Sequence, residues 1–235
     1  MNKIGILGAM EEEIALLQSS LENCTTTTWK HLTFFEGTLH GLDVVLVKCG
    51  IGKVAAALAT TALIERFSPD AVVNTGSAGG FDTDLNIGDI VIAGKVMHHD
   101  VDLTHFGYAL GQPAGMPESF SCDMTLINAA EAATHSISGI QSKRGLVCTG
   151  DAFIGSDEAV AALKATFPAM SAVEMEGAAI GQVCHMLDVP FLVIRSLSDI
   201  AGKTSSLSFK EYLETAARHS AELVMGMIGA LAQRH

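Results

Sequence analysis

Apolar and polar positions along the chain predict strands and helices in turn. Residues 3–7 alternate and are β-rich, Gly8-Ala9 interrupts them, and residues 10–21 set Ile14, Leu17 and Leu21 on one helical face. Residues 33–39 and 42–48, separated by His40-Gly41, read as a hairpin with a short glycine turn. The spacing then predicts a helix over 54–67, a strand over 71–74, a strand over 87–96 and a helix over 124–136. A strand over 143–149, a helix over 157–167 and a β-branched strand over 171–173 follow, then a helix over 177–187 and a last strand over 190–196. Residues 206–233 form a long amphipathic helix with Ser206 or Ser208 near its cap. Residues 106–120, with proline and glycine, form an extended loop of the kind that reaches over a site or into a partner subunit. Strands alternating with helices, plus a hairpin, imply an α/β fold with an antiparallel element.

Chemistry gathers where these strands stop. Residues 171–173 run into Glu174-Met175-Glu176, followed at once by Gly177-Ala178-Ala179, so two acids stand at the carboxyl end of a buried strand, where open α/β sheets bind ligands. Acids there need a partner or a ligand, although a helix start also favours them through its dipole. The same dipole accounts for Glu11, Glu12 and Glu13 with no further function. Gly50-Ile51-Gly52-Lys53-Val54-Ala55 has the spacing of a dinucleotide fingerprint, but the strand over 71–74 ends in Asn74-Thr75-Gly76 instead of a ribose-binding acid, which disfavours NAD. Asn74 to Gly80 reads as a ligand-facing loop whose three glycines can take positive φ. Phe153, beyond the strand over 143–149, is placed either to stack on a planar ring or to pack in the core. His98, His99, Asp100, Asp102 and His105 crowd one segment, but their spacing matches no zinc pattern, and no metal is expected.

Composition narrows the class. The 235 residues suffice for one large α/β domain, and no linker divides residues 1–235. A net charge of -12 argues against a nucleic-acid partner, which needs a basic face, and leaves small molecules as ligands. Cys24, Cys49, Cys122, Cys148 and Cys184 are scattered and never spaced as CxxC, which suits free thiols in a reducing compartment. The strand pattern begins almost at Met1 and no apolar run is long enough to span a bilayer, so the expected location is cytoplasmic, with no membrane partner.

Taken together, Gly8-Ala9-Met10-Glu11-Glu12-Glu13, Gly50 to Ala56, Asn74 to Gly80, Gly150-Asp151-Ala152-Phe153, Val173-Glu174-Met175-Glu176 and Ser196-Leu197-Ser198-Asp199 closely resemble the methylthioadenosine/S-adenosylhomocysteine nucleosidases, a branch of the purine nucleoside and uridine phosphorylase family. The resemblance runs nearly end to end. It implies a three-layer α/β/α sandwich around a mixed, partly closed sheet, a homodimer, and hydrolysis of an adenine N-glycosidic bond without a cofactor. By similarity Asp199, helped by Ser198, protonates purine N7, and Glu13 activates the attacking water. Glu176 would hold the ribose hydroxyls beside Met175, with Glu174 part of the same site, and Phe153 would stack on adenine while the Ile154 backbone reads its edge. Ser77, Ala78 and Gly79 would line the pocket. Met10, Ile51 and Phe209 would wall the 5'-alkylthio group, joined by Leu103, Phe106 and Pro113 of the partner subunit. The stretch from Ala201 to Ser205 departs from the family pattern.

Elementary chemistry points the same way. Glycosidic cleavage builds positive charge on the sugar and negative charge on the purine, which calls for an acid at the base and anionic groups at the sugar. A phosphorolytic relative would need arginines around the sugar, and the three glutamates after Gly8 would repel an anion there. A nucleoside-binding protein without turnover is the remaining alternative.

Overall fold

In the computed structural model, which describes residues 1–135, 137–200 and 205–233 with side chains at 205–208 excepted, the predicted strands pair into one mixed sheet. The chain begins with β1 (Lys3–Gly8) and α1 (Glu11–Ser20), then the meander β2 (Glu22–Trp29), β3 (Leu32–Leu39) and β4 (Leu42–Lys48). Two residues turn β3 into β4: His40 and Gly41 have φ of 51° and 83°, the positive pair that a tight hairpin needs. α2 (Lys53–Phe67) leads to β5 (Ala71–Gly80) and β6 (Ile90–His98). A loop with a short 3-10 turn at Thr104–Phe106 then reaches β7 (Phe120–Ser121) and α3 (Met124–Thr134). β8 (Ser142–Thr149), α4 (Asp157–Thr166), β9 (Met170–Glu174), α5 (Gly177–Met186), β10 (Phe191–Ile200) and α6 (Ser205–Ala232) complete it.

β10, β6, β8, β9 and β5 follow one another around the sheet, and β5 pairs back onto β10, so this part closes into a ring. From β5 the sheet continues through β1, β4, β3 and β2. α1, α3 and α6 pack together on one side, and α2 and α5 pack together on the other, which gives the expected three layers. The strands of the ring are apolar on both faces, as buried strands are: Val72, Val73, Ile90, Ile92, Val193 and Ile194 are all inaccessible. No helix among the described residues is long and apolar enough to cross a membrane.

Two strands outrun their sequence signals. β5 continues from Asn74 through Gly80 and β10 from Ser196 through Ile200, because each supplies the other's ladder, with Ser196 beside Ser77 and Asp199 beside Gly79. The glycines of this segment therefore do not take positive φ as expected, but are extended. They serve close approach: a Cβ at Gly76 would lie 2.6 Å from Glu13 Oε1 and 2.8 Å from Arg195 Nη1. β2 carried no alternation, since Thr25 to Thr28 are polar on both faces and the strand sits at the edge of the sheet.

Candidate active site

Seven chain segments deliver side chains to a cavity of about 290 Å³ at the carboxyl ends of the strands. Ala9, Met10 and Glu13 come from the turn after β1 and the start of α1, Ile51 from the turn after β4, and Ser77, Ala78 and Gly79 from β5. Val173, Glu174, Met175 and Glu176 come from the end of β9, and Ser198 and Asp199 from β10. Phe153 and Phe209 stand at the wall. Ile154 lines an adjoining recess with Phe153, Met175 and Asp199.

The three acids that open α1 separate by environment. Glu11 and Glu12 are exposed, with Glu11 paired to Lys48 at 2.8 Å, while Glu13 turns inward and is only 3% accessible. Its Oε2 accepts from the backbone of Ala9 at 2.8 Å and Met10 at 3.2 Å, which caps the helix from within. Its Oε1 accepts from Ser77 N at 2.9 Å and Ser77 Oγ at 3.0 Å. Four donors thus fix one carboxylate against β5.

Glu174 and Glu176, two residues apart, have different surroundings. Glu174 accepts from Thr149 Oγ1, Arg195 Nη2 and the backbone N–H groups of Glu176 and Gly177, so its carboxylate is consumed inside the protein. Burial works to raise its pKa, but Arg195 and these hydrogen bonds overcome that and hold it below the usual range. Glu176 accepts from Gly52 N at 2.9 Å and reaches Arg195 Nη2 at 3.5 Å. Burial and the neighbouring charge of Glu174 push it up to about 7, against Arg195 and the Gly52 N–H. The Gly50–Gly52 turn, with φ of 85° and 97°, therefore offers its helix N-terminus to carboxylates: Glu176 at Gly52, and Asp151, which accepts from Lys53 N at 2.8 Å.

Asp199 lies across the cavity on β10, where the ladder slips between Leu197 and Asp199. This bulge inserts Ser198, whose Oγ donates to Asp199 Oδ1 at 3.0 Å. Burial pushes the Asp199 carboxyl up to about 6, opposed by that hydroxyl. Asp199 packs against Gly79, and Glu13 bonds Ser77, two positions earlier on the same strand, about 7 Å along β5. At the mouth, Phe153 and Phe209 meet edge to face with ring centroids 5.8 Å apart.

The expected residues Met10, Glu13, Ile51, Ser77, Ala78, Gly79, Phe153, Glu174, Met175, Glu176, Ser198, Asp199 and Phe209 thus share one cavity. Leu103, Phe106 and Pro113 lie outside it in the same chain: Phe106 is 74% accessible, and Pro113 borders a separate surface hollow with Val54, His98 and Met186. In the His/Asp segment, His98 Nε2 pairs with Gln182 and Asp100 binds Lys53 Nζ at 2.6 Å, and no cluster able to hold a metal occurs among the described residues. Ala201 to Thr204, and the side chains of Ser205, Ser206 and Ser208, lie outside the described residues. Arg195 was missed as a site residue. A single charge inside the apolar run of β10 was its signal, since a buried charge demands a partner.

The model for the phosphorylase superfamily matches residues 3–229. A 5'-methylthioadenosine/S-adenosylhomocysteine nucleosidase of Anoxybacillus flavithermus is 55% identical over 228 residues, 97% of this chain and 98% of the relative. A crystal structure of such a nucleosidase from Colwellia psychrerythraea 34H, in complex with adenine, superposes with a TM-score of 0.96 at 54% identity, over 97% of this chain and 95% of that one. Another from Neisseria meningitidis, in complex with methylthio-immucillin-A, gives 0.95 at 44% identity, over 97% and 99% of the two chains.

Proposed function

Since the chain belongs to the phosphorylase superfamily, and within it to the 5'-methylthioadenosine/S-adenosylhomocysteine nucleosidases, we propose that it hydrolyses the N-glycosidic bond of these two nucleosides, with Asp199 as general acid and Glu13 as the residue that activates water. One observation carries the assignment of roles: a raised acid on β10 and a four-fold anchored carboxylate on α1 line one cavity.

In this reading adenine packs on Phe153 with the Ile154 backbone at its edge, and Asp199 delivers its proton to N7 as the glycosidic bond lengthens. The leaving purine departs neutral. Glu13 takes a proton from the water that attacks the anomeric carbon, and adenine and a 5'-substituted ribose leave. Glu176 holds the ribose hydroxyls. Its pKa near neutrality gives it a further use, because positive charge growing on the sugar favours its ionised form, so the contact strengthens in the transition state. Arg195 is committed to Glu174 and Glu176 and leaves no free cation for phosphate among the lining residues, which favours water as nucleophile.

Met10, Ile51 and Phe209 make an apolar wall for the 5'-substituent, wide enough in type for 5'-deoxyadenosine as well. Leu103, Phe106 and Pro113 of the partner subunit complete it in a homodimer. Exposed apolar side chains support that assembly: Val54 is 81% accessible and Met186 60%, both bordering the hollow that holds Pro113. Such an enzyme serves methionine salvage and the recycling of S-adenosylmethionine by-products. The test is incubation of pure protein with 5'-methylthioadenosine, with and without phosphate. Adenine and free methylthioribose in both are expected, whereas a sugar 1-phosphate formed only with phosphate overturns hydrolysis.

A further inference from the structure

We infer that Ser220, on the buried side of α6, is a positioning residue for Glu13. The inference rests on the assignment of Glu13 as the water-activating residue. One edge of β5 pairs with β10 throughout, but the other pairs with β1 only as far as Asn74 and with β9 from Gly79 onward, and the residues between carry the contacts to Glu13. In that stretch Gly76 N–H donates to Ser220 Oγ at 3.2 Å, and Thr75 Oγ1 lies 2.6 Å from the same oxygen. Thr75 and Ser220 are both inaccessible to solvent. One side chain from a distant helix therefore ties down two successive residues of β5. The next residue, Ser77, gives Glu13 both its backbone and its hydroxyl hydrogen.

Tolerance here is small. Gly76 is wedged between Glu13 and Arg195, where a single added carbon would collide with both. A strand displaced at Gly76 moves Ser77 with it, and a shift of about 1 Å at a catalytic group is enough to cost around 100-fold in rate. Removing the Ser220 hydroxyl leaves the Gly76 N–H buried and unpaired, a cost that the strand relieves by shifting against its β10 ladder. Ser220 itself does not line the cavity, so substrate affinity has no direct stake in it.

The experiment is a double-mutant cycle on kcat with 5'-methylthioadenosine, read as adenine release in single turnover so that slow variants remain measurable. Ser220→Ala is expected to lower kcat at least about tenfold with KM within about threefold. Ser220→Cys, which keeps the shape but accepts weakly, should fall with it. In a Glu13→Gln background, Ser220→Ala should cause no further loss. Thr60→Ala serves as control, because Thr60 is also a buried helical hydroxyl but bonds only within α2. Wild-type kcat in Ser220→Ala, an equal loss on top of Glu13→Gln, or the same loss in Thr60→Ala each overturns the inference. Should Glu13→Gln itself keep full turnover, the assignment of Glu13 fails instead.

Discussion

At the scale of single residues, burial sets the chemistry apart from its surroundings. Asp199 in its folded setting titrates at about 6, above the ordinary range of about 3.9, so it holds its proton further toward neutrality than a free aspartate. As an acid it works in the protonated form, and kcat/KM is therefore expected to fall as pH rises through about 6 in the free protein. Asp199→Asn should lower kcat at least about 100-fold and erase that limb of the profile. Linkage adds a stability signature. A carboxyl raised on folding binds more protons folded than unfolded, so it costs stability above its folded pKa and nothing below its unfolded one. Asp199→Asn should accordingly raise Tm at pH 8, with the gain shrinking to nothing toward pH 3. A gain that stays constant with pH would assign it to packing instead.

Elements decide which residues meet. Glu176 is aimed by the turn ahead of α2, where Gly52 at φ 97° both starts the helix and donates to the carboxylate. Gly52→Ala puts a side chain where L residues are strained and sets its Cβ 3.0 Å from Asp151 Oδ1. We expect it to raise KM for 5'-methylthioadenosine at least about tenfold while the purified protein stays folded; an unchanged KM would separate Glu176 from the sugar. Much of this was legible in the sequence, because the hairpin at His40-Gly41, the helix starts and the acids at strand ends all announce themselves through local turn chemistry and period. What was not legible depended on long-range pairing. Ser and Gly in 76–80 and 196–199 carry loop signals, and only ring closure turns them into strand. Nothing in Glu174-Met175-Glu176 tells which acid faces inward to Arg195 and which is left for a ligand. Ser220 had no local signal at all, since its partners lie some 144 residues away.

For the molecule as a whole, the hollow around Pro113 and the exposed Val54, Phe106 and Met186 predict that turnover depends on association. Phe106→Asp is expected to shift the protein toward monomer by light scattering and to raise KM for substrates with a 5'-alkylthio group more than for adenosine. A monomeric wild type of full activity would contradict this. The closed sheet has a different bearing on the life of the protein in a crowded cell. Because β5 and β10 seal the ring against each other, neither offers bare backbone to a neighbouring molecule. Among the described strands, β2 and the two-residue β7 have a single neighbour. β2 is rimmed by threonines and Glu22 with few apolar side chains, a poor template for intermolecular sheet. A chain with nearly half its residues apolar thus offers little bare sheet edge to a neighbour while it is folded, and its exposure to pairing of that kind is confined to the interval before the ring closes.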